Sequence, residues 1–169
     1  RVFLESCQFR GCVSRGMTSF QVQADRCVFT GTDSEGVVLA SARDSSAFLN
    51  CLFGQLHHVL ALIVMGRAVT VEGCTFEGPG PQDDNVLVTQ DFSGRIVGNR
   101  FLNCVYNGTA VFILTRPGDT TVVSGNLFDH CYGTWPWGGR VIDVTATDPF
   151  DTTCIALITD NVFIGNSGC

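Results

Sequence analysis

The chain has 169 residues, 45% of them apolar and 15% charged, with 19 Gly; this balance excludes a disordered tail and predicts one folded domain over 1–169, built of short strands and tight turns. Its ten basic residues are all Arg and face sixteen carboxylates, for a net charge of -6, which with no basic run argues against nucleic acid or an anionic membrane as partner. No window approaches the roughly 18–20 apolar residues of a membrane span, and membrane insertion is not expected.

One phrase recurs seven times along the chain. In order the copies are Leu4-Glu5-Ser6-Cys7-Gln8-Phe9, Ala24-Asp25-Arg26-Cys27-Val28-Phe29, Phe48-Leu49-Asn50-Cys51-Leu52-Phe53 and Val71-Glu72-Gly73-Cys74-Thr75-Phe76. Then come Ile96-Val97-Gly98-Asn99-Arg100-Phe101, Val123-Ser124-Gly125-Asn126-Leu127-Phe128 and Ile158-Thr159-Asp160-Asn161-Val162-Phe163. The intervals between the closing Phe residues are 20, 24, 23, 25, 27 and 35, a period that predicts a solenoid.

Within each copy the slot two before Phe holds only Cys or Asn, and the first position is always apolar. A period of two puts the Cys/Asn slot and the Phe on one face of a strand. The residue three before Phe is a turn former in six copies, with Arg26 the exception, and permits a sharp corner. Between copies lie further extended pieces at 37–40, 59–62, 86–89, 111–114 and 141–144.

The expected unit is therefore three short strands per coil, about seven coils in all. Stacked coils pair in parallel at about 4.8 Å, giving a rod of roughly 30 Å. Its interior is expected to hold an aliphatic column, a corner column of Cys7, Cys27, Cys51, Cys74, Asn99, Asn126 and Asn161, and a column of Phe9, Phe29, Phe53, Phe76, Phe101, Phe128 and Phe163. An Asn at the corner bonds main-chain groups that the bend leaves unpaired, and Cys is its small apolar substitute. The chain starts and stops in mid-pattern, without an initiator Met or a secretory signal, and reads as a segment of something longer.

Nine Cys, none in a Cys-x-x-Cys pair, point away from metal cages and toward an oxidising compartment. Equivalent residues on adjacent coils fall within disulfide reach, so Cys104 with Cys131, Cys7 with Cys27 and Cys51 with Cys74 are candidate pairs. Buried thiols packed as small hydrophobes are the equal alternative. Cys169 is the candidate for a bond outside the segment, and Asn107-Gly108-Thr109 is a glycosylation sequon that would fit an extracellular or cell-surface chain.

The phrases Gly98-Asn99-x-Phe101 and Gly125-Asn126-x-Phe128, with the recurring ladder, resemble the right-handed parallel β-helix of the pectin-lyase-like superfamily. The resemblance spans the whole chain and implies an all-β fold with inward asparagine stacks. Phe163-Ile164-Gly165-Asn166, Gly108-Thr109-Ala110-Val111 and Gly138-Gly139-Arg140-Val141 are more loosely similar to repeats of polymorphic outer membrane proteins, a likeness that implies an adhesive surface role.

Several groups are candidates for chemistry. Asp129-His130-Cys131 sets an acid, a base and a nucleophile side by side, but adjacent strand residues face opposite ways, so convergence is not expected. His57-His58 lacks a nearby carboxylate to complete a metal site. Asp83 and Asp84, in a Pro-rich loop, are a weak calcium site, with loop solvation the competing reading. Trp135 and Trp137 form a platform for a sugar ring or a partner, or else a hydrophobic lid. The pectin-lyase-like resemblance implies, if the chain is an enzyme, Asp143 and Arg140 with Asp91 and Arg116 as acid, base and charge-stabilising groups on polyuronates. The Lys that the polygalacturonase pattern needs is absent.

The expectation is thus a structural or adhesive segment at the cell surface, partnered by copies or adjoining segments of its own kind or by carbohydrate. No cofactor is expected beyond the possible calcium ion. A carbohydrate-active lyase or hydrolase and a glycan-binding module are the alternatives.

Overall fold

The computed structural model describes residues 1–10, 21–32, 38–40, 45–56, 62–78, 86–90, 92–106, 109–133, 140–146 and 153–167. Among these residues every regular element is a strand, and every strand pairing is parallel.

The first sheet joins β1 (Val2–Glu5), β3 (Val22–Asp25), β6 (Ala47–Leu49), β9 (Val69–Glu72), β12 (Gly94–Val97), β16 (Thr120–Ser124) and β20 (Ile155–Thr159) in that order. The second joins β2 (Gln8–Arg10), β4 (Val28–Thr32), β7 (Leu52–Leu56), β10 (Thr75–Glu77), β13 (Arg100–Leu102), β17 (Leu127–Asp129) and β21 (Val162–Ile164). A third holds β5 (Val38–Ala40), β8 (Leu62–Met65), β11 (Leu87–Gln90), β15 (Thr109–Thr115) and β19 (Arg140–Ala146), and β14 (Val105–Tyr106) pairs with β18 (Tyr132–Gly133). The chain thus visits the sheets in turn, and each strand's neighbours lie one repeat away in sequence.

The corner between first and second sheets is left-handed in all seven copies. Ser6, Arg26, Asn50, Gly73, Gly98, Gly125 and Asp160 have φ between 51° and 64°, the conformation in which Gly meets no Cβ penalty. Arg26, the residue least suited to it, adopts it all the same, held by the bond from its N–H to the Leu49 carbonyl at 3.0 Å. Tertiary pairing there overrides a local cost of about 1–2 kcal/mol.

Side chains fall into register as like upon like. Phe9, Phe29, Phe53, Phe76, Phe101, Phe128 and Phe163 are successive partners across the second sheet. Their rings stack with centroids 4.7 to 5.1 Å apart. Leu4, Ala24, Phe48, Val71, Ile96, Val123 and Ile158 are likewise successive partners in the first sheet. The β11 strand contributes Leu87 and Thr89 to the interior, paired with Val111 and Ile113 of β15.

The third sheet departs from the sequence expectation in phase. Of the expected piece at 59–62 only Leu62 lies among the described residues, where it opens β8, and the column runs Val38, Leu62, Leu87, Val111, Ile142. The apolar run 59–65 fits the alternation in more than one phase, and only pairing with its neighbours selects one. The short β14–β18 pair, after a second corner, was not expected either.

Candidate functional site

The residues with a defined chemical arrangement form two ladders of corner side chains. In the first, Asn99 Nδ2 donates to the Val71 carbonyl at 2.9 Å, Asn126 Nδ2 to Ile96 at 2.9 Å and Asn161 Nδ2 to Val123 at 3.0 Å. Each carbonyl belongs to the aliphatic-column residue of the preceding copy. The Oδ1 atoms point back the same way: Asn99 accepts from the Cys74 N–H at 2.9 Å, Asn126 from Asn99 at 2.9 Å and Asn161 from Asn126 at 3.0 Å. A third contact joins the amides to one another, Asn99 Nδ2 to Asn126 Oδ1 at 3.0 Å and Asn126 Nδ2 to Asn161 Oδ1 at 2.9 Å.

Cysteines at this corner occupy the donor's place. Cys51 Sγ lies 3.7 Å from the Ala24 carbonyl and Cys74 Sγ 3.4 Å from Phe48, the positions that the Asn amides reach higher in the ladder. Cys is therefore more than a small apolar filler here: it keeps the donor and lacks the strong acceptor.

The second ladder stands three residues after the motif Phe. Cys104 Sγ approaches the Phe76 carbonyl at 3.5 Å, Cys131 Sγ the Phe101 carbonyl at 3.4 Å, and Asn166 Nδ2 donates to Phe128 at 3.0 Å. Asn166 Oδ1 accepts from the Cys131 N–H at 2.7 Å. The equivalence of Asn166 with Cys104 and Cys131 escaped the sequence reading, although the common offset from Phe carried it.

The seven described cysteines, Cys7, Cys27, Cys51, Cys74, Cys104, Cys131 and Cys154, are free thiols. The candidate pairs Cys7–Cys27, Cys51–Cys74 and Cys104–Cys131 thus stand on adjacent copies unbridged, with the described sulfur contacts turned toward main-chain carbonyls. Hydrogen bonding with the Cys51 sulfur and then burial hold the Cys74 thiol far above its ordinary range. The Cys131 sulfur and burial act in the same way on Cys104, and burial pushes Cys27 up. Such thiols are poor nucleophiles, whereas the same sulfur contacts lower the partner thiols of Cys51 and Cys131.

Asp129-His130-Cys131 is only partly as expected. His130 has φ 52° at the second corner, as do Asn103 at 52° and Gly165 at 60°. That turn breaks the strand alternation, so the neighbouring Asp129 and His130 side chains meet, Oδ1 to Nδ1 at 2.6 Å. Adjacency does not prevent this acid–histidine contact. Cys131 is buried with its sulfur toward the Phe101 and Asp129 carbonyls, so no nucleophile joins the pair. The His130 ring instead overlies Gly165, where an added Cβ would come within 2.9 Å of Nε2.

Of the implied catalytic residues, Arg140 and Asp143 come together as an ion pair at 2.8 Å along one strand. Asp143 pairs in register with Phe112, and Phe112 with Val88, so the neighbouring strands offer no second carboxylate at this position. Arg116 follows β15, its carbonyl 3.2 Å from the Cys154 sulfur. Asp91, Asn107, Trp135, Trp137, Asp83, Asp84, His57, His58 and Cys169 lie outside the described residues. Among those described, no group of three or more His, Cys, Asp or Glu is placed to hold a metal ion. A shallow groove of about 480 Å³ beside Phe3, Glu5, Gln23, Asp25 and Leu49 has its two carboxylates engaged by Arg26.

Among the described residues the outermost strands are β1, β2 and β5 on one side and β20, β21 and β19 on the other. Six of the eight exposed large hydrophobic residues among those described lie in β20 and β21, which makes the two edges chemically unlike. Compared with known proteins, the chain matches no family model, no curated protein and no solved structure.

Proposed function

We propose that the chain winds as a right-handed parallel β-helix of about seven coils, like the pectin-lyase-like superfamily, and serves as a stiff structural or adhesive segment at the cell surface. The carrying observation is the strand order: first, second and third sheets are visited in rotation, with like residues superposed copy after copy. Such a body resists bending because each coil is tied to the next by main-chain ladders and by stacked Phe and Asn. Parallel strand pairing of the kind that joins its own copies suits it to join other copies or adjoining coils. The chemistry of the columns favours this reading over a lyase or hydrolase, since general acid–base work needs two groups converging on one bond and Asp143 is paired instead with Arg140.

The test is electron microscopy of the purified chain over a concentration series, alongside an assay for sugar release from polyuronates. Short rods that lengthen with concentration support the proposal. Compact particles at every concentration, together with sugar release that Asp143→Ala abolishes, would replace it with the enzyme reading.

A further inference from the structure

Cys104 and Cys131 stand apart from the corner column, as a discrete pair of thiols at the second corner. Each precedes by one residue a member of the register pair Val105 and Tyr132, and the Tyr132 N–H donates to the Cys104 carbonyl at 2.8 Å. The two thiols therefore hold the same position on successive copies. Their sulfurs are aimed alike: Cys104 Sγ faces the Phe76 carbonyl at 3.5 Å and Cys131 Sγ the Phe101 carbonyl at 3.4 Å, and Phe76 and Phe101 are themselves register partners. One sulfur is thus the other displaced by a single strand spacing, about 4.8 Å. Both residues are at most 2% exposed, and both are free thiols.

That spacing matches the need of a two-coordinate soft metal ion. A thiolate bond to a first-row d10 ion is about 2.3 Å, so a linear sulfur–metal–sulfur unit spans about 4.6 Å. Thiolates select soft ions such as Cu(I). Among the described residues no third His, Cys, Asp or Glu is placed to join the pair, which disfavours zinc with its four ligands. The Cys104 N–H is directed at the Cys131 sulfur, and such a donor stabilises the negative charge of a metal-bound thiolate. On the other side the Cys131 N–H is held by Asn166 Oδ1 at 2.7 Å, which fixes the main chain that carries the sulfur.

We propose that Cys104 and Cys131 form a linear two-sulfur site for a soft monovalent d10 ion, Cu(I) in the first place. Binding exchanges two S–H bonds for two sulfur–metal bonds. Both protons leave to solvent, the metal keeps its oxidation state, and the bound unit carries one negative charge. Because protons are released, affinity rises with pH. The ion ties two successive copies together at the second corner, beside the short β14–β18 pair. The inference goes beyond the structural reading above and holds whether or not the chain assembles.

The test is an anaerobic titration of the reduced full chain with Cu(I) in competition with bicinchoninate, a chelator that strips the ion from single thiols and leaves what thiol pairs retain. Cys131→Asn is the decisive variant because it continues the ladder of Asn166. The new amide faces the Phe101 carbonyl in place of the sulfur and offers its oxygen to the Cys104 N–H, and circular dichroism verifies the fold. Wild type is expected to retain one equivalent of Cu(I) more than Cys131→Asn. Cys104→Ser should lose the same equivalent, and carries the comparison alone if Cys131→Asn does not fold; Cys154→Ser should lose none. X-ray absorption should show that the equivalent lost has two sulfur neighbours and no nitrogen or oxygen. Equal counts in wild type and the folded pair variants, an equal loss on Cys154→Ser, or a nitrogen or oxygen shell would overturn the proposal and leave the two thiols as packed hydrogen-bond donors.

Discussion

Replacement of Asn126 by Ala tests the ladder most directly. Asn126 is 1% exposed, and its side chain serves the Ile96 carbonyl, the Asn99 N–H and the Asn99 amide. Truncation strands all three in the interior. At about 1–3 kcal/mol for each buried polar group left unsatisfied, and allowing for relaxation, Asn126→Ala should cost about 3 kcal/mol or more. Asn126→Cys restores a donor toward Ile96 in the manner of Cys74 toward Phe48 but leaves the Asn99 donors unmet, so it should fall between Ala and wild type. Urea unfolding followed by far-ultraviolet circular dichroism measures both, read as a fall in midpoint at unchanged slope. Losses below about 1 kcal/mol for Ala, or Cys as damaging as Ala, would refute the assignment of bonding roles to this corner.

Three further outcomes follow from the same geometry. Phe101→Ala removes a fully buried ring stacked at 4.7 Å on both sides and should cost about 3–5 kcal/mol; Phe163→Ala, at a half-exposed ring stacked on one side, should cost less than half as much in the same unfolding measurement. Gly94→Ala places a Cβ 2.0 Å from the Val69 carbonyl oxygen and should give insoluble or unfolded protein on expression, whereas Gly118→Ala, facing open space with φ 76°, should cost only about 1 kcal/mol. Burial holds the Cys27 thiol above its ordinary range, whereas in the pairs Cys51–Cys74 and Cys104–Cys131 the shared sulfur contact lowers one thiol and raises the other, so the pairs offset one another and Cys27 carries the net pH dependence. Its contribution to stability is complete below the unfolded thiol value of about 8.5 and is lost progressively as pH rises beyond it. The urea midpoint should fall between about pH 7 and pH 10.5, and Cys27→Ala should flatten that fall; a fall unchanged in the variant would contradict the assignment to Cys27.

Much of the architecture was legible because parallel strands stacked in register repeat their requirements. The Cys/Asn slot, the Phe two residues on and the left-handed corner between strands recur with fixed offsets, and at Phe9 through Phe163 the columns stand in the expected register. Where a segment lacked a punctuating residue the reading slipped. In the third sheet the column runs through Leu87 and Ile142 rather than Val86 and Val141, because those apolar runs carry no marker of phase. The Asp129–His130 contact was missed because strand alternation was extended through a residue with φ 52°.

The amino-acid sequence alone determined that this chain is a repeat of short strands with Asn, Cys and Phe in columns, since local spacing dictates which residues share a face. Only the tertiary structure decided which carbonyl each described amide and thiol serves, that Arg26 is bent into a left-handed corner, and that the seven described cysteines stand as unbridged thiols. Those outcomes depend on atoms contributed by the copies before and after, separated by 20 residues or more, and no local pattern encodes the direction in which a side chain turns between two neighbours.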